Sequence, residues 1–247
     1  MDKTFELFCK LSLLVTIIIC LNSILGDLMF KSKYSFPKVT EVTEQTIDTY
    51  SEPIQINLDG SKYKQANGEK NKYALQLLAE YHLSGLIVAK NNNFWFRDIM
   101  RNNFDDIALI DFGIVWGDLA TDRDKLYKHM KFTSKKTLGQ ARSLRYRWDG
   151  EAPWGRAYIT SHVAHTHMIP ANANVMGGML KAKKNDVAKF DGYLVDIYTE
   201  KSQIVGRTSL SRSDSNATSR GENGRNAGGA CEVMYVTQVQ IGNKIYR

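Results

Sequence analysis

Segments with the composition of β-strands recur through the body of this chain and limit the folds open to it. They are rich in Val, Ile, Tyr and Phe, and turn-forming residues separate them. In chain order they read "HLSGLIVAK", "IALIDFGIVWGD", "LRYRWDG", "FDGYLVDIYTEKSQIVGRTSLS" and "CEVMYVTQVQI". The fourth predicts a hairpin that turns at "TEKSQ", and Gly85 in the first predicts a bulge or bend. The pattern therefore predicts a mainly β fold, a β-rich α+β domain with a curled sheet or a partly open barrel.

A short helix is predicted between two of these strands. The segment "MIPANANVMGGMLKAKK" places Val175, Met179 and Leu180 at helical spacing after the turn-forming "PANAN". One or two short helices of this kind complete the predicted domain, which covers residues 73–247. Cys231 is the only cysteine in that range, so the domain has to rest on its hydrophobic core rather than on disulfides.

An apolar stretch precedes the domain. Asp27 is the only charged residue in residues 11–30, and a run of about 20 residues is long enough to cross a bilayer as a helix. A cleaved signal peptide is the alternative, although the residues before a cut after Gly26 match a cleavage site poorly. Residues 1–30 are therefore predicted to be an uncleaved signal anchor, a single transmembrane helix. The short segment before the apolar stretch is easier to keep in the cytoplasm than the large domain is. We therefore expect a single-pass protein of the bacterial inner membrane, with most of the chain in the periplasm.

Residues 31–72 differ in composition from both neighbours. They are polar and interrupted by Pro37, Pro53, Gly60 and Gly68, which predicts a polar tether, with "EPIQINL" as its one strand-like piece. The net charge of +7 is spread along the whole chain rather than packed into one run. This distribution indicates a solvated basic surface and argues against nucleic acid as a partner.

Three histidines, His162, His165 and His167, lie close together in "SHVAHTHMIPAN". On a strand, His165 and His167 face one side and His162 faces the other. Zinc needs several ligands at about 2.0–2.3 Å, of which the H-x-H pair supplies two. Cys231 or an acidic group would have to supply a third. The alternative is a loop whose imidazoles cap backbone groups beside "IPAN". The sequence therefore predicts no cofactor, and zinc is the only one that the histidine pattern would allow.

A second group of candidate residues surrounds the cysteine of the domain. "RTSLSRSD" carries Arg207, Arg212 and Asp214, and "GACEV" carries Cys231 and Glu232. A cysteine nucleophile needs a base and a lowered pKa, which a neighbouring Arg or His supplies. Either acidic residue could also complete a metal site. The alternative is a buried Cys231 that packs as a small apolar side chain, with Arg–Asp pairs fixing the loop.

Aromatic and basic residues alternate in "RYRWDGEAPWGR". Trp148 and Trp154, with Arg147 beside the first, could stack against bases, sugars or an envelope polymer. The alternative is a pair of strand-edge tryptophans that fill the rim of the core.

The later motifs, taken in order, resemble a family of uncharacterised bacterial proteins. The motifs are "FDDIALIDFGIVWGDLA", "HTHMIPANANV", "FDGYLVDI" and "RTSLSRSD…GACEVMYV", and the resemblance covers about residues 73–240. It implies an N-terminal membrane segment followed by one β-rich domain, and no activity. The residues that match are His167, Pro170, Ala171, Arg207, Ser209, Leu210, Arg212, Asp214, Gly229, Ala230, Cys231 and Glu232. This chain departs from the pattern in its expanded Ser/Asn/Gly-rich loop, residues 211–229.

Two functions fit these observations. The favoured one is a non-catalytic module, anchored to the membrane through residues 11–30, that binds or assembles with another protein or polymer of the cell envelope. The alternative is a metal-dependent hydrolase that uses His165 and His167 with Cys231 or an acidic group, acting on a phosphodiester or an envelope polymer. Whether His165, His167 and Cys231 converge decides between them.

Overall fold

The computed structural model describes residues 3–34, 36–68, 70–92, 102–136, 142–210 and 231–247. The helices are α1 (Lys3–Lys33), α2 (Asn103–Ile107), α3 (Asp118–Thr121), α4 (Arg123–His129), α5 (Arg156–Ser161) and α6 (Ala173–Lys181). The strands are β1 (Glu41–Val42), β2 (Ile54–Asn57), β3 (Tyr63–Asn67), β4 (Lys72–Asn92), β5 (Ile110–Val115), β6 (Met130–Lys136), β7 (Arg142–Trp148), β8 (Val163–Pro170), β9 (Val187–Thr199), β10 (Ile204–Gly206), β11 (Cys231–Ile241) and β12 (Lys244–Tyr246).

The fold is mainly β, as the sequence predicts. Ten strands form one mixed sheet in the order β1-β12-β11-β8-β5-β4-β9-β10, with β2 and β3 added along β4. Strand β11 also pairs with β9, so β4, β5, β8, β11 and β9 form a ring. Because further strands extend outward from this ring, the result is a curled mixed sheet and not a clean barrel. The remaining two strands, β6 and β7, form a separate hairpin.

The ring has an apolar layer on each side. Inside it lies the larger cluster, which includes Tyr81, Phe112 and Phe190. A second cluster, which includes Leu75 and Val233, lies on the outer face against α2. The alternating side chains of each strand serve both layers, which is why these strands are buried almost continuously.

Two glycines allow the strands of the ring to approach closely. A Cβ at Gly192 would lie 2.0 Å from the Tyr235 carbonyl oxygen, where β9 meets β11. A Cβ at Gly85 would lie 2.3 Å from the Val115 carbonyl oxygen. The register of β4 shifts at Leu77/Ala79 and at Ile87/Ala89. Gly85 is therefore a point of close backbone approach, and the predicted bulge lies near it rather than on it.

Short helices are more numerous than the predicted one or two. Five, α2 to α6, follow α1 in the described residues. The helix predicted after "PANAN" is α6, and the Asn172 side chain caps it by accepting from the Val175 N–H at 2.9 Å. At its other end the ammonium of Lys90 donates to the carbonyls of Met179, Leu180 and Ala182 at 2.7–2.9 Å. The other short helices lack a long apolar period, so the sequence pattern did not indicate them.

The segment predicted as a polar tether, residues 31–72, belongs partly to the sheet. Strand β1 pairs with β12, while β2 and β3 pair with β4. The strand predicted in "EPIQINL" is β2. The polar composition of this segment reflects strands at the edge of the sheet, since β2 and β3 are mostly exposed. The boundary with the β-rich domain is therefore not at residue 73.

Helix α1 stands out by its exposed apolar surface. The apolar side chains of α1 that the structure describes are exposed, from 38% for Ile19 to 69% for Phe8. Across the described part of the chain, no helix combines the length and apolar character needed to cross a membrane. At the C-terminal end of α1, Tyr34 packs against the larger core cluster.

Candidate metal centre

Three neighbouring strands place the predicted histidines beside the cysteine. Strand β8 lies between β5 and β11, and it pairs with β11 in parallel so that His165 is opposite Cys231. On its other side, β8 pairs with β5 so that His167 is opposite Asp111. Alternation along β8 puts both imidazoles on the outer face of the ring. The register of three strands thus gathers residues that are far apart in sequence.

The candidate ligand atoms of His165, His167 and Cys231 all lie within 4.8 Å of one another. The His165 Nδ1 is 3.1 Å from the Cys231 Sγ. The two imidazole rings meet edge to face, with centroids 4.7 Å apart. Both histidines are buried and Cys231 is partly buried. Small movements of these side chains would bring all three atoms within about 2.0–2.3 Å of a shared ion.

A buried carboxylate holds His167 in place. The His167 Nδ1 lies 2.7 Å from the Asp111 Oδ1. When Nδ1 carries the proton and donates a hydrogen bond to this carboxylate, the His167 Nε2 is free to bind a metal ion. Arg142, from β7, lies 3.4 Å from the same oxygen and donates to the Ala108 carbonyl at 2.6 Å. Burial raises the pKa of Asp111, but the Arg142 guanidinium, the hydrogen bond from His167 and the two neighbouring imidazoles together lower it by more. The pKa of Asp111 therefore lies well below its ordinary value, and the carboxylate is ionised.

His165 is neutral in this environment. Burial, together with the neighbouring His167 and Arg142, lowers the pKa of His165 to about 3, against the opposing effect of Asp111. The His165 Nε2 is buried and has no hydrogen-bond partner among the described residues. Neutral imidazole is the form that binds metal ions, and an unpaired buried nitrogen is costly unless a ligand satisfies it.

Two other predicted site residues, Glu232 and Arg207, are not part of this cluster. Glu232 follows Cys231 on β11 and therefore points to the opposite face, where its carboxylate accepts from Thr166 at 3.1 Å and Tyr81 at 3.4 Å. Arg207 is exposed. Arg212 and Asp214 lie outside the described residues.

His162 has a different environment from the other two histidines. It is the C-terminal cap of α5, just before β8, and its ring stacks on Tyr158 with centroids 3.8 Å apart. The sequence predicts that His162 faces away from the other two histidines, and in the structure it does not face the cluster.

The predicted aromatic surface is divided between two environments. Trp148 ends β7, is 37% exposed and stacks on Tyr146 with centroids 6.2 Å apart. Trp154 packs against a third core cluster, with the Lys125 ammonium 5.6 Å from its ring centroid. Arg147 is exposed on the opposite face of β7 from Trp148.

Four further residues of the site were missed by sequence reasoning. Asp111 and Arg142 support His167, Asp105 lies 3.7 Å from Arg142, and the Phe104 ring contacts His167 edge to face at 5.2 Å. The sequence contained one signal of these supporting residues, since Asp111 is a charged residue within the apolar strand "IDFGIV". Charges are rarely buried without a partner, so that position already required a cation nearby.

Comparison with protein-family models, curated proteins and solved structures finds no match to this chain. The class of the site therefore rests on its own geometry, a His₂Cys cluster supported by a buried carboxylate on a curled β-sheet.

Proposed function

We propose that the protein is a metal-dependent hydrolase whose ion, most simply Zn²⁺, is bound by His165, His167 and Cys231. The convergence of these three side chains carries the proposal. Two imidazoles and one thiolate are typical zinc ligands, and three protein ligands leave a fourth position for water. Catalytic zinc sites keep that position open, whereas structural zinc sites fill it.

The surrounding residues have roles suited to such a centre. The ionised Asp111 accepts from the His167 Nδ1 and so directs Nε2 toward the shared position. The neutral His165 and the adjacent Cys231 thiol supply the other two atoms, the thiol releasing its proton on binding. Arg142 balances the charge of Asp111, so the carboxylate remains ionised in a buried position.

Zinc would lower the pKa of its bound water and so provide hydroxide at neutral pH. With a phosphodiester, attack of that oxygen on phosphorus would break the ester P–O bond, and the proton lost by the water would pass to the leaving oxygen. With an envelope polymer, the corresponding attack is on an amide or ester carbonyl. The non-catalytic binding module remains the alternative, although its candidate residues Arg147, Trp148 and Trp154 are divided between environments.

Zinc content and hydrolysis together test the proposal. The full chain, loaded with ZnCl₂ and freed of excess metal, is expected to retain about one zinc ion per chain by elemental analysis. It should hydrolyse bis(p-nitrophenyl) phosphate or dye-labelled peptidoglycan, and lose that activity to a chelator. Cys231→Ser should lose both properties, while Cys20→Ser, in the exposed part of α1, should keep them. No retained zinc, equal zinc in both variants, or zinc without hydrolysis of either probe would contradict the hydrolase.

We also propose that residues 11–30 attach the protein to the bacterial inner membrane, with the sheet on the periplasmic side. The exposed apolar side chains of α1 support this, because contact with the membrane would remove that apolar surface from water.

The attachment predicts a location that fractionation can measure. The full chain should remain with the membranes of a bacterial host after an alkaline wash, and Leu14→Lys/Ile18→Lys should release it. Val42→Lys/Ile56→Lys is the matched control, since those apolar side chains are equally exposed but lie on the sheet. Release of both variants to the same degree, or of neither, would contradict attachment through α1.

A further inference from the structure

A second site lies beside the proposed metal centre, on the same face of the ring. It is a cavity of about 730 Å³ between the end of α1, strand β3 and the start of α6. Cavities of about 300–1,000 Å³ are the usual size of small-molecule sites. The metal-centre residues do not line it, and its nearest wall is Ile169, two residues after His167 on β8.

The walls of the cavity combine apolar side chains with polar and charged groups. The apolar lining includes Met29, Ile107, Leu109, Ile169, Met176 and Tyr235. Met29 is 66% exposed and belongs to the apolar surface of α1, so the apolar lining continues out of the cavity along that helix. A compact polar ligand would leave this lining unused, whereas an alkyl chain would cover it.

The charges of the cavity favour an anion. Among the described residues that line the cavity, Lys33 and Lys70 contribute two positive charges, against one carboxylate, Asp106. That carboxylate is already hydrogen-bonded, because it accepts from the backbone N–H of Asn71 at 3.1 Å and from the Tyr73 hydroxyl at 3.0 Å. The first turn of α6 at Asn172 and Ala173 also lines the cavity and adds the partial positive charge of a helix N-terminus.

The residues that directly follow α1 pack on the body of the fold. Tyr34 and Pro37 pack directly over α6 at Gly177, where an added Cβ would lie 2.6 Å from Pro37 and 2.9 Å from the Tyr34 carbonyl. Tyr34 also packs against the larger core cluster. The end of α1 is therefore joined to the body of the fold through packed residues.

We infer that this cavity binds a single-chain amphiphile with an anionic head. The alkyl chain lies against the apolar lining and the α1 surface, and the head, a carboxylate or a phosphate, lies near Lys33 and Lys70. The inference is independent of the proposed hydrolase, because it uses none of the metal ligands.

Binding to the metal-free protein tests this inference separately from the hydrolase. The full chain, treated with a chelator, is titrated with the fluorescent fatty acid cis-parinaric acid. Competition with palmitate and with palmitoyl lysophosphatidic acid distinguishes a carboxylate head from a phosphate head, and monopalmitoylglycerol is the neutral comparison. At least one anionic competitor is expected to bind more tightly than the neutral one.

Variants of the lining locate the bound molecule. Ala171→Phe fills the cavity and is expected to weaken binding about tenfold, and Lys70→Gln about fivefold. Lys64→Gln is the matched control, because Lys64 is exposed on β3 but does not line the cavity, and it should leave binding unchanged. If the fatty acid bound only to the surface of α1, every variant would bind it as tightly as the native chain does, and the inference would be overturned. No binding, or equal binding of the neutral competitor, would overturn it as well.

Discussion

Asp111→Ala is expected to lower the free energy of unfolding by about 3–5 kcal/mol, as is usual when one partner of a buried ion pair is removed. Asp111 is fully buried and its carboxylate lies 3.4 Å from Arg142 and 2.7 Å from His167. The substitution leaves the buried guanidinium of Arg142 without this negative charge, and it leaves the imidazole of His167 without its hydrogen-bond acceptor. Urea denaturation of the metal-free chain measures the change.

Two further variants separate the charge effect from a general loss of packing. Asp111→Ala/Arg142→Leu removes both charges and should recover a large part of the stability. Asp149→Ala is the matched control, since Asp149 also contacts a histidine, His129 at 3.0 Å, but is exposed. A much smaller change is expected there. If Asp111→Ala and Asp149→Ala proved equally mild, Asp111 would not have the supporting role assigned to it.

Zinc is expected to stabilise the native chain by about 2.7 kcal/mol at a free concentration one hundred times its Kd, because it binds the folded state. Only the fold brings the three ligands together, since His165 and Cys231 are on different strands. Denaturation curves with and without ZnCl₂ measure the gain.

His165→Ala should abolish most of that gain. His165 suits this test because its Nε2 has no hydrogen-bond partner among the described residues, so the substitution removes a ligand without orphaning a partner of that nitrogen. His162→Ala is the control, as His162 lies in the same segment but stacks on Tyr158 outside the cluster. An equal gain in stability from zinc in both variants would exclude His165 as a ligand.

The sequence predicted the parts of the site that depend on local periodicity. The H-x-H spacing predicts that His165 and His167 share one face of a strand, and in the structure both lie beside Cys231. The same rule excludes Glu232, because a residue next to Cys231 on a strand points to the opposite face. His162 lies elsewhere for a different reason, because it caps α5 before β8 begins.

The rest of the site depends on pairings that local patterns do not encode. Strands β8 and β11 are parallel neighbours, yet α6, β9 and β10 come between them in the chain. The partner of Asp111 is likewise distant in sequence, since Arg142 is on the separate hairpin of β6 and β7. A buried charge in "IDFGIV" indicates that a cation is needed but not which residue supplies it. The register that joins these residues is a property of the whole sheet.

The double pairing of β11 links the integrity of the ring to that of the site. Residues Cys231–Val236 pair with β8, and residues Met234–Ile241 pair with β9, so one strand both closes the ring and carries the thiol. Any local opening that peels β11 away from β8 also separates Cys231 from His165. An ion shared by both residues would oppose that motion directly, acting as a crosslink between two strands that α6, β9 and β10 separate in the chain. Loss of the metal would then loosen the ring at its closing strand before the rest of the domain unfolds.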